Sequence, residues 1–145
     1  MAVTAKWFGK APMKLLNKEV DFDTDVIKVM LCTSAYAPDQ DVHAYKDAVT
    51  NEVTGAGYTT GGATLANKTM DYTGATNVVK LDANDVSWAN STITARYAVI
   101  YDDTPATDAT KPILGYVDFG EDKVSSNGTF TIQWHADGIF TVTAA

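Results

Sequence analysis

Asp21, Asp23 and Asp25 form the most suggestive chemical pattern in the chain, the D-x-D-x-D opening of a calcium loop. Such a loop also needs a glycine at position six and a bidentate glutamate at position twelve. Those positions hold Val26 and Cys32, so the run reads as a polar turn ahead of a buried strand. Cys32, His43 and His135 are the soft metal ligands, and none stands at the short spacing of a structural zinc site. The sequence has no G-x-S-x-G elbow, no second cysteine for redox exchange, and no glycine-rich loop ending in Lys-Ser or Lys-Thr. The adjacent acids Asp102-Asp103 and Glu121-Asp122 read as loop carboxylates facing water, because a glycosidase pair is defined by separation in space. These residue types predict no enzyme, no metal and no cofactor. The sequons at Asn67, Asn90 and Asn127 are what 20 threonines produce by chance.

Aromatic side chains are the more informative group. Trp7, Trp88 and Trp134 with seven tyrosines offer large contact areas with polar handles, suited to a carbohydrate or protein surface. Phe130, Ile132 and Trp134 share one face of an alternating strand and are assigned to the core. Trp88, and Tyr58 in a glycine-rich loop, are candidate surface contacts. Trp7 and Phe8 lie in a segment where residues 1–18 carry four lysines and no acid, +4 against −11 for the remainder. Lys6, Trp7, Phe8, Lys10 and Lys14 are therefore candidate partner-binding residues. In that reading the two rings anchor the segment on a neighbouring subunit and the lysines orient it; packing of both rings within their own domain stays open. The acidic body opposes nonspecific nucleic-acid binding. No stretch approaches the ~20 apolar residues of a membrane span.

These residues need a scaffold, and composition points to sheet. The 145 residues include 20 Thr and 14 Val against 3 Glu and 1 Arg, a bias toward β-branched side chains. A chain of this length fits one domain that buries roughly 68–70% of its unfolded surface without metal or disulfide. With a single cysteine and no apolar leader in the first twenty residues, folding in a reducing cytosol is expected. Pro12 can occupy the first turn of a short helix. Residues 25–33, apolar on both phases, predict a strand covered on both faces. Val42, Tyr45, Ala48 and Val49 at helical spacing predict a short amphipathic helix after Pro38-Asp39. Thr69–Tyr72 and Val78–Leu81 flank a TGATN turn and predict a hairpin; 92–101 and 113–119 read as strands, and Asn127-Gly128 and Asp137-Gly138 as the turns of closing hairpins. The expected architecture is mainly β: one antiparallel sandwich or barrel-like domain over 19–145 with one or two short helices, preceded by a basic arm over 1–18. Ile27, Val29, Leu31, Tyr97, Val99, Phe130, Ile132 and Trp134 are expected inside.

Several stretches carry a resemblance: 16–22 (LNKEVDF), 27–32 (IKVMLC), 50–58 (TNEVTGAGY), 88–102 (WANSTITARYAVIYD) and 114–120 (LGYVDFG). In this order they resemble a family of small virion structural proteins of tailed bacteriophages, over about residues 20–143. The resemblance implies a place in a particle and no chemistry. The expectation it supports is a capsid decoration, or cement, protein bound to the major capsid protein or other virion subunits, with several copies associating on the particle. A neck or tail component, or a carbohydrate-binding module of a virion appendage using Trp88 and Tyr58, are the alternatives.

Overall fold

The computed structural model describes residues 2–144. The elements run β1 (Thr4–Trp7), α1 (Ala11–Leu16), β2 (Ile27–Cys32), β3 (Ala63–Thr64), β4 (Thr69–Thr73), β5 (Val78–Asp82), β6 (Val86–Asp102), β7 (Ile113–Ile132) and β8 (Phe140–Thr143). They make two open antiparallel sheets, a five-stranded one in the order β1-β7-β6-β2-β3 and a three-stranded one in the order β4-β5-β8. The fold is thus a β-sandwich-like domain, and the barrel alternative is set aside because neither sheet closes on itself.

The long β6–β7 pair is the spine, with β2 alongside β6 at Tyr97–Asp102 and β1 alongside β7 at Gly115–Asp118. One face of the larger sheet is covered by residues 8–16, which include α1, and by the segment 33–48, through Phe8 against Tyr116 (ring centroids 5.0 Å) and Tyr36 against Tyr97 (5.9 Å). The opposite face carries the smaller sheet. There Phe140 seats over Gly115, where any side chain would collide with its ring. Sheets covered on both faces lose the polar/apolar alternation, which accounts for the burial of five of the six β2 residues. Of the residues expected inside, Ile27, Val29, Leu31, Val99, Phe130 and Ile132 are buried, while Tyr97 and Trp134 are partly buried against the core.

Four expectations are corrected. The 1–18 segment is no separate arm: β1 adds to the edge of the sheet, and Phe8 and Ala11 are fully enclosed in the same core as β2. The amphipathic helix after Pro38-Asp39 is absent. The Asp39 side chain caps the N–H groups of Asp41 and Val42 in a turn, and Tyr45 instead bridges to Pro112, leaving only a 3₁₀ turn at Lys46–Ala48. Long-range backbone bonding wins there over weak local helix propensity. Asn127-Gly128 does not turn the chain either. Asn127 and Asn90 take left-handed φ values of 49° and 51° as bulges within the β6–β7 ladder. Finally, β8 pairs with β5 rather than β7, so Asp137-Gly138 links the two sheets instead of closing a hairpin.

Candidate docking surface

The predicted partner-binding residues split into two groups. Phe8 is completely enclosed, and Trp7 stacks on Phe140 at 4.2 Å with its indole N–H donating to the Thr141 carbonyl. Both rings are consumed at home, which corrects their reading as intermolecular anchors. Packing supplies the reason, since an aromatic ring buried in its own core gains at least what a partner would offer. Lys14 is 5% exposed; its ammonium lies 3.1 Å from the centroid of Tyr45 and 3.3 Å from Glu19 Oε1. It is therefore a structural cation and not an orienting one. Lys6 and Lys10 remain exposed, with Lys10 Nζ 3.4 Å from the Val42 carbonyl.

The two candidate surface contacts are also drawn inward. Trp88 is 6% exposed, in edge-to-face contact with Phe130 (6.0 Å) and tilted against Tyr58 (5.9 Å). The Tyr58 hydroxyl donates to Glu52 Oε1 at 2.7 Å and receives the Leu31 N–H at 3.0 Å. Neither ring presents a free face for a sugar, because the glycine-rich loop folds down onto β6 with Thr92 N–H bonded to the Ala56 carbonyl.

The D-x-D-x-D run is a self-contained turn. Asp21 accepts the N–H groups of Asp23 and Thr24, and Asp25 accepts that of Asp21. The carbonyls of Asp23 and Asp25 both receive the ammonium of Lys68. Among the described residues no group of three or more His, Cys, Asp or Glu side chains is arranged to hold a metal ion. Cys32 is buried, its thiol pushed up to about 12 by desolvation and by the nearby Glu52 charge. The Asp102-Asp103 pair departs from its expected solvation. Asp102 is 1% exposed and its carboxyl is raised by burial. Asp103 bridges Lys28 and Lys111, each at 2.7 Å. Burial pushes the Asp103 carboxyl up, but those two ammonium groups outweigh it and hold it below the usual range.

Among the exposed apolar side chains, three lie on α1 and the loop beside it. Met13 and Leu16, one turn apart on α1, are 66% and 86% exposed, and Val42 is 65% exposed. Lys6, Lys10 and Lys18 are exposed, and none is in an ion pair among the described residues. Apolar tips beside unpaired lysines on an acidic domain suit an acidic, partly apolar protein surface, with charge steering the encounter and apolar area holding it. The sequence marked the lysines but not Met13, Leu16 or Val42. Only their failure to fit the helical stripe of Ala11 and Lys14 betrays the first two. A cleft of about 920 Å³ lies elsewhere, beside β7, lined by Phe119, Phe130, Ile132, Trp134 and Val3. Comparison with protein-family models, curated proteins and solved structures finds no match to this chain. Among the described residues no helix is long and apolar enough to cross a membrane.

Proposed function

We propose that this chain is a structural protein of a tailed-bacteriophage virion, a decoration protein that binds the head shell through the face carrying Met13, Leu16 and Val42. The observation that supports this most directly is the combination of those exposed apolar side chains with unpaired Lys6, Lys10 and Lys18 on a domain of net charge −7. The ordered resemblance along residues 20–143 supports the same reading. Internal pressure strains the joints between capsid subunits, and a protein that binds only the expanded shell stabilises it by mass action. Burial of each aliphatic tip contributes roughly 1.5–3 kcal/mol, whereas each exposed ion pair adds about 0–1 kcal/mol. Affinity then rests on Met13, Leu16 and Val42, and on-rate and salt dependence on the lysines.

The test is co-sedimentation of purified chain with expanded heads that lack it. The double variant Met13→Ser/Leu16→Ser is expected to lose binding with an unchanged melting temperature. Lys10→Glu/Lys18→Glu is expected to slow association and flatten its salt dependence. Wild-type occupancy by both variants overturns the docking face. Location by electron microscopy at the neck or tail, in a few copies per particle, overturns the decoration reading.

A further inference from the structure

The free edges of the two sheets are protected unequally. On the larger sheet β1 is four residues long with Lys6 on it, β3 is two residues long, and the stretch of β7 beyond β1 is interrupted at Gly120 and Asn127 and carries Glu121, Asp122 and Lys123. Short length, charge and bulges are the usual devices against edge-to-edge pairing. On the smaller sheet, Trp7 donates to the Thr141 carbonyl of β8. The opposite edge, β4, is less protected: it has no bulge and no proline, and its one charge is Asp71 at the centre. Its five residues are all exposed, it is unbulged in its register with β5, and no backbone partner lies on its outer side among the described residues. Met70 and Tyr72, which share the core-side face with Leu81 and Val79, are 50% and 59% exposed because the smaller sheet reaches past the core that covers Leu81.

The strand also reads nearly the same in both directions: Thr69-Met70-Asp71-Tyr72-Thr73. We propose that β4 pairs antiparallel with β4 of a second copy about a two-fold axis at Asp71, joining two three-stranded sheets into one of six strands. In that register Met70 meets the second copy's Tyr72 twice and threonine meets threonine twice. Aromatic–aliphatic and Thr–Thr neighbours are favourable cross-strand pairs. The one like-charge meeting, Asp71 with its counterpart, is flanked in each copy by Lys80, the direct register neighbour of Asp71. Lys80 also lies 3.6 Å from Asp82 on the same face, so it tempers the Asp71–Asp71 repulsion without cancelling it. Five residues a side fall well short of the ~20–30 a side of a standard interface, so the pairing is weak in dilute solution and gains strength where copies are held side by side. This contact is on the smaller sheet, away from α1, and its failure leaves the shell-docking face as it stands.

Asp71→Cys places a thiol on the proposed axis, where the close approach of directly paired residues matches disulfide geometry. The buried Cys32 does not interfere. In purified full-length chain under mild oxidation, Asp71→Cys is expected to form a covalent dimer at least tenfold faster than Thr76→Cys in the adjoining turn, and adding Tyr72→Glu to Asp71→Cys is expected to abolish that advantage. Independently, Asp71→Asn is expected to tighten self-association at neutral pH about two- to fivefold in sedimentation equilibrium, by removing the like-charge meeting. Equal cross-linking rates for Asp71→Cys and Thr76→Cys overturn the proposal.

Discussion

The Lys14 ammonium sits 3.1 Å above the centre of the Tyr45 ring while bonding Glu19 at 3.3 Å, so one buried cation ties α1 to both the 44–48 segment and the start of the following loop. Cation–π contacts strengthen when desolvated, to about 2 kcal/mol. Lys14→Ala is expected to destabilise the domain by about 2 kcal/mol in urea denaturation, and Lys14→Arg by less. A change within ±0.5 kcal/mol for Lys14→Ala would show that the contact contributes nothing.

Phe8 tests whether the first residues belong to the domain. Truncation of a fully enclosed phenylalanine costs about 3–5 kcal/mol. Phe8→Ala, and deletion of residues 2–10, are both expected to lower the melting temperature of the isolated chain. An unchanged melting temperature after the deletion would mean that β1 and Phe8 do not support the fold.

Asp102 imposes a pH dependence of known sign. Its carboxyl is raised by burial, more than the N–H of Thr104 lowers it, and neighbouring Asp25 raises it further. A native state that holds the proton more tightly than the unfolded chain is favoured by acid. The penalty is absent below the unfolded value near ~3.9 and fully present above the raised folded value. Asp102→Asn keeps an oxygen for the Thr104 N–H and removes the charge. It is expected to melt higher than wild type at neutral pH, with the gap closing as pH falls toward 4. A gap that widens on acidification would contradict this.

Gly62 makes a sharp backbone prediction. It has φ +82°, and a Cβ there would overlap the Val29 carbonyl in β2. Gly62→Ala is therefore strained and also collides, which is expected to detach the short β3 pairing at Lys28–Thr64 and Val29–Ala63. Hydrogen exchange at the Leu65 amide, bonded to the Ile27 carbonyl, reads this directly as lost protection.

Residue order alone determined the β-rich class, the doubly covered β2, the β4–β5 hairpin around the TGATN turn and the 92–101 part of β6, because branched side chains, alternation and turn chemistry act over a few residues; the extension of β6 back to Val86 was not legible. It also exposed the charge contrast that points to the N-terminal face. Tertiary structure decided the rest. Trp88 and Tyr58 turned inward because the loop before β3 folds onto β6, a contact between residues more than thirty apart. Trp7 and Phe8 found partners in Phe140 and Tyr116 at the far end of the chain. The turn-like Asn127-Gly128 became a bulge because a continuous ladder with β6 satisfies more backbone groups than a reversal there. The proposed docking face depends on Val42 coming beside Lys10 at the start of α1 in space, and the proposed β4 edge on the smaller sheet leaving Met70 and Tyr72 exposed. Local preferences are written residue by residue, but which edges and faces stay uncovered depends on how the two sheets pack.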